Sequence, residues 1–152
     1  MMETEPPLQL GQTLDFMRLL WSLAHGLQSR SKRMESELGV TGPQRLVIRI
    51  LGRAPGASAG MLARAMCVHP STLTGVLRRL EARGLVEQKR DNGDARRKLF
   101  TLTASGRKLD AQQAGTAEAA VRRALGRLKA DELSSVTRAL GLVSDELSRQ
   151  DR

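Results

Sequence analysis

The chain has 152 residues, a formal net charge of +9 and 40% hydrophobic residues, which suits one domain with a packed core and excludes wholesale disorder. Two Phe, one Trp and no Tyr argue against a base-stacking platform, since such sites rest on aromatic faces. Cys67 is the only cysteine, which excludes an intramolecular disulfide and an all-cysteine metal site.

Residues 10–38 carry a helical pattern, with Leu10, Met17, Ala24 and Leu27 on one line and Leu14, Leu20 and Leu23 beside it. The stripe is broad, which predicts packing on more than one neighbour, and Gly39 is its expected end. Thr41, Gly42 and Pro43 then precede QRLVIRILG, where a cap, an early proline and a stop at Gly52 predict a helix. Val47 and Ile48 also suit a strand, but turns carrying Leu46, Ile50 and Leu51 fit the flanking signals better. Residues 52–58, with two glycines and a proline, read as a connection, and AGMLARAMC at 59–67 as a short helix.

From Pro70 the pattern is clearest. Leu73, Val76, Leu77 and Leu80 fall on one narrow stripe of a helix ending at Gly84. Ser71, Gly75, Arg78 and Ala82 fall opposite, flanked by Thr72, Thr74 and Arg79. A hairpin over 85–103 turns at Asp91, Asn92, Gly93 and Asp94, with Lys89 and Arg90 before the turn and Arg96, Arg97 and Lys98 after it. Thr103 is expected to cap a long helix running to about Leu128. Asp131 opens another, in which Leu133, Val136, Leu140, Val143 and Leu147 keep heptad spacing.

The charge is concentrated. Residues 43–110 hold fourteen basic and five acidic side chains, whereas 1–42 hold four and five and 111–152 hold seven and six. A local excess of this size is what a polyanion-binding surface requires. Two short helices joined by a turn at Cys67 to His69, followed at once by a hairpin, predict a mainly α fold with a small β-hairpin wing: a winged helix-turn-helix. The small residues Ser71, Thr72 and Gly75 let the second helix approach a major groove, where Thr74 and Arg78 can meet base edges and Arg79 the backbone. Arg96 or Arg97 can extend from the wing into a minor groove, with Lys89, Arg90 and Lys98 on phosphates. Asp94 is expected to hold one of these arginines by a charge-assisted hydrogen bond. Two copies would reach half-sites roughly 34 Å apart, and the long, nearly neutral terminal helices suit that pairing.

The stretch LARAMCVHPSTLTGVLRRLEARGLVEQKRDNGDARRKLFTLTASG resembles the MarR family of bacterial transcriptional regulators, and the likeness extends from Thr41 to Gly106. STLTGVLRRLEARGLVEQ is similar to that family's recognition helix and first wing strand, and DNGDARRKLFTLTASG to its wing tip, second strand and entry to the next helix. The resemblance implies a homodimer of roughly triangular outline. Thr72, Thr74, Gly75 and Arg78 match its groove-facing positions, and Asp94 and Arg96 its wing aspartate and arginine. It implies promoter occupancy, commonly repressing, by a protein that a small aromatic or anionic effector can release. Relatives that sense organic peroxides carry a cysteine near the start of the first long helix; this chain has none there.

The expected layout is one domain over 1–152, with a dimerisation helix at 10–38, a DNA-binding region at 43–103 and dimerisation helices at 104–149. Expected partners are double-stranded DNA, a second copy and a small-molecule effector. No cofactor or metal is expected, and Cys67, between Met66 and Val68, reads as a buried structural thiol. His25 and His69 lack a cluster of ligating neighbours in sequence and read as ordinary packing or polar residues. No apolar run of about eighteen residues is present, and the acidic start METEPP lacks the layout of a secretion signal, so a cytoplasmic, nucleoid-associated protein is expected. The rival reading is a winged-helix module whose basic surface meets an acidic protein. An enzyme is disfavoured, because no nucleophile with a His base and no phosphate-cradling glycine loop is evident.

Overall fold

A computed structural model describes residues 8–149; the METEPP start and the last three residues lie outside them. The chain divides into two compact units, one ending at Gly115 and one beginning at Thr116. The fold is mainly α with a small three-stranded sheet.

In the first unit, α1 (Gln12–Leu38) stops at Gly39, whose left-handed φ of 74° lets its N–H return to the carbonyl of Glu35 at 3.0 Å. Met34 is the buried side chain of α1. Most of the broad stripe expected to meet several neighbours stays uncovered in a single copy: Leu10, Leu14, Met17, Leu23 and Leu27 are exposed and Leu20 is half-buried. Leu19 and Trp21 outside the stripe are exposed as well, Trp21 to 69%.

α2 (Gly42–Arg53) begins with a capping box in which Thr41 Oγ1 accepts the N–H of Gln44 and Gln44 Oε1 accepts that of Thr41. The connection after it holds an element that the sequence pattern does not show, the two-residue strand β1 (Ala57–Ser58). α3 (Ala59–Met66) and α4 (Pro70–Ala82) follow, then β2 (Val86–Arg90), β3 (Lys98–Leu102) and α5 (Ala104–Ala111). The strands are antiparallel in the order β1-β3-β2, with Ala57 opposite Phe100 and Val86 opposite Leu102. One core joins these elements: Leu73, Val76, Leu77 and Leu80 of α4 are buried with Val47, Ile48 and Leu51 of α2, Leu62 of α3, and Phe100 and Leu102 of β3. The helical reading of Val47 and Ile48 holds because both pack inward on one side of α2.

The long helix expected from Thr103 to about Leu128 is instead two helices, α5 and α6 (Ala117–Leu125). Two causes end α5. Gly115 takes a left-handed φ of 78°, and Thr116 Oγ1 accepts the N–H of Ala119 at 3.3 Å, so a new cap begins there. The C-terminal carbonyls of α5 are also claimed from α2. Arg45, 1% exposed, donates to the carbonyls of Leu109 and Gln112, and Arg49 donates to the carboxylate of Asp110 at 2.6 Å. Cations at a helix C-terminus meet both the open carbonyls and the negative end of the dipole.

The second unit holds α6 and α7 (Ala130–Ser148). Glu132 Oε2 accepts the N–H of Lys129 at 2.7 Å at the start of α7. Along the heptad stripe Leu133 and Val143 are half-buried, while Val136, Leu140 and Leu147 are exposed.

Candidate nucleic-acid interface

α4 is held by its own ends and by its buried stripe. His69 caps it: Nδ1 accepts the N–H of Ser71 at 3.2 Å and lies 2.7 Å from Ser71 Oγ. An ordinary polar role expected for His69 is thus a defined one, the start of the helix. On the outer side Ser71, Thr72, Thr74, Arg78 and Arg79 are exposed and Gly75 is half-buried. Nothing lies within 4 Å of where a Cβ on Gly75 would stand, so the helix presents a low, open surface there. The hydroxyl of Thr74 donates to the carbonyl of Pro70 at 2.9 Å, which leaves its lone pairs and methyl group for a partner.

The hairpin is built by its turn. Asp91 Oδ1 accepts the N–H of Gly93 at 3.0 Å, and Asp94 Oδ1 accepts the main-chain N–H of Arg96 at 3.0 Å. The carboxylate of Asp94 therefore fixes the backbone that carries Arg96, where the sequence suggested a bond to a guanidinium. The main chain of Arg97 closes the loop, accepting from Asp91 and donating to Asp94 at 2.9 Å each, and its guanidinium turns back to Met61 Sδ at 3.7 Å.

Register sorts three of the five cations. Arg90 stands directly opposite Lys98, on the face that nearer the base carries Val86, Phe100 and Leu102. Lys89 stands opposite Leu99 on the other face. Like charges directly opposed on a sheet are mutually destabilising, so the Arg90 and Lys98 pair costs the free protein stability that a bound anion would restore.

Between α4 and the hairpin lies a groove of about 560 Å³ lined by Thr74, Leu77, Arg78 and Glu81 of α4, Gln88 of β2, and Arg96, Arg97, Lys98 and Phe100. Ser58, Ala59 and Gly60 close its other side, at the start of α3. Its lining carries four cations, Arg78 on α4 and Arg96, Arg97 and Lys98 on the hairpin, and one carboxylate, Glu81. The structure thus brings together Thr74, Arg78, Arg96, Arg97 and Lys98, with Arg90 on the same sheet face as Lys98. Ser71, Thr72 and Arg79 lie elsewhere on exposed α4, and Lys89 on the reverse of the hairpin. The contribution of Ser58 to Gly60 was not legible in the chain, because it depends on β1 pairing with β3.

Cys67 is a correction. The sequence reads as a buried thiol there, but the side chain is exposed. Cys67 occupies the left-handed C-cap of α3 at φ 53°, so the turn rather than core packing places it, with Sγ 3.7 Å from the carbonyl of Arg64. Among the described residues no group of three His, Cys, Asp or Glu side chains could hold a metal ion, and no helix is long and apolar enough to cross a membrane.

Comparison with known proteins follows the same lines. The profile of the MarR family matches residues 40–98. An HTH-type transcriptional repressor of Mycobacterium bovis is 34% identical over 122 residues, spanning 80% of this chain and 88% of the relative. The transcriptional regulator HosA of Escherichia coli O157:H7 is 36% identical over 106 residues, 69% of this chain and 78% of that protein. Among solved structures, MepR of S. aureus in complex with DNA superposes with a TM-score of 0.73 at 21% identity, covering 88% of this chain and 98% of that one.

Proposed function

The chain belongs to the MarR family of DNA-binding transcriptional regulators, and on that premise we propose that it is a repressor occupying a pseudo-palindromic promoter operator as a homodimer. The observation that carries this reading is the groove between α4 and the hairpin, in which Arg78, Arg96, Arg97 and Lys98 converge beside an open helix face. A phosphodiester strand suits such a groove, with α4 in the major groove on one side and the wing in the minor groove on the other. In this reading Arg78 reads a base edge, Thr72, Thr74 and Gly75 allow the approach, and Arg79, Lys89 and Arg90 meet the backbone.

Dimerisation is supported by the apolar side chains that a single copy leaves in water, Leu19, Trp21 and Leu23 in the first unit and Val136, Leu140 and Leu147 in the second. The mycobacterial relative is a transcriptional repressor, the direction proposed here for this chain. The reading extends to release by a small aromatic or anionic effector, which would show as dissociation of the DNA complex on titration. The protein then acts in the cytoplasm by binding alone, without catalysis, cofactor or metal.

Selection of bound duplexes from genomic fragments tests the proposal. An enriched inverted repeat beside a promoter is the expected result. Enrichment of no sequence over random duplex, together with capture of an acidic protein, would replace it with the interaction-module reading.

A further inference from the structure

We propose that Arg83 is a positioning residue for DNA recognition, which sets the direction of α4 by holding the carbonyl of Gly39 and makes no phosphate contact of its own. In sequence it is the third arginine of LRRLEARG, after Arg78 and Arg79. In the structure it is the C-cap of α4, its N–H bonded to the carbonyl of Arg79 at 3.2 Å, and its guanidinium leaves the DNA-facing groove to donate from Nη1 to Gly39 O. A Cβ on Gly39 would stand 2.8 Å from Arg83 Nη2, so the guanidinium fills the space that a side chain at residue 39 would need.

Gly39 is the left-handed end of α1, Val40 beside it is fully buried, and Thr41 opens the capping box of α2. Arg83 therefore ties the far end of the recognition helix to a junction that is itself fixed. A cation there also meets the negative end of the α1 dipole. His69 caps the near end of α4 and the buried stripe seats the helix in the core, so Arg83 adds the tie that aims the far end of the exposed face relative to α1. Groove readout depends on that aim, because recognition groups must be held within about 0.5 Å of their working geometry.

The inference rests on the DNA-binding reading, and its test separates the two. Binding of the full chain to the duplex it selects from genomic fragments is measured from about 50 to 200 mM salt for wild type, Arg83→Met and Arg83→Lys. Loss of the guanidinium that reaches Gly39 is expected to weaken both variants by about tenfold. The slope of log affinity on log salt for Arg83→Met should equal that of wild type, because no counterion-releasing contact has gone. A slope shallower by about 0.9 in Arg83→Met, with Arg83→Lys binding like wild type, identifies a phosphate ligand and overturns the proposal. Undiminished affinity in both variants also overturns it, because the latch would then aim nothing. Wild-type protein that selects no duplex overturns the repressor reading itself, and this role with it.

Discussion

A Cβ built on Gly106 would overlap the carbonyl oxygen of Leu85 and stand 3.1 Å from its carbon. That carbonyl already accepts the N–H of Thr103 at 3.1 Å, just before α5 begins. The backbone of Leu85 cannot retreat without opening that bond. Gly106→Ala is therefore expected to destabilise the fold by about 1–3 kcal/mol, read as a lower thermal midpoint. Unchanged stability would mean that α5 can move off the β2 base freely.

Gly52 and Asp110 are coupled in the same way through a side chain. A Cβ on Gly52 would stand 2.8 Å from Asp110 Cγ, and Arg49 holds that carboxylate in place. Gly52→Ala should break the Arg49 pair and cost about 1 kcal/mol or more. In an Asp110→Ala background the same substitution should cost much less, so a double-mutant cycle by denaturant unfolding gives a sizeable interaction energy. Simple additivity would show that the two positions do not compete for space.

Lys98 sits directly opposite Arg90, a like-charge pair that does not help the fold and that the proposed DNA-binding role would account for. Lys98→Glu replaces repulsion by attraction across the strands and should leave stability equal or raise it by a few tenths of a kcal/mol. Binding to any duplex should weaken, with a shallower salt dependence, because a phosphate site has been removed and an anion added. A variant that binds DNA like wild type would take Lys98 out of the interface.

Arg78 projects from the open face of α4 into the cation-lined groove. Arg78→Ala should cost about 1–3 kcal/mol on the selected operator and relax base preference at one position of each half-site. Equal weakening on operator and random duplex would assign Arg78 to the backbone instead.

Much of this was legible in the chain because it depends on periodicity and on turn chemistry, which are local. Leu73, Val76, Leu77 and Leu80 recur with the period of a helix, and all four are buried. The Asp-Asn-Gly-Asp turn is read from residues whose side chains satisfy their own neighbouring amides, as Asp91 and Asp94 do. The charge excess between residues 43 and 110 is a property of composition alone.

Other features are set by partners distant in the chain. β1 has two residues and no period; it exists because Ala57 and Ser58 meet Phe100 and Leu99. Gln112 falls outside α5 because Arg45 and Arg49, more than sixty residues earlier, take the carbonyls at its end. Cys67 lies between two apolar neighbours yet is exposed, because a left-handed turn residue is placed by the backbone it joins.

The sequence by itself determined the helical face of α4, the caps at Thr41 and Thr103, the hairpin and the basic character of the central segment, since each follows from residues a few positions apart. Tertiary structure alone decided which cations share the groove, which one faces away, and that Arg83 spends its charge on Gly39. Cross-strand register and long side-chain reach set those outcomes, and neither leaves a trace in the spacing of residues along the chain.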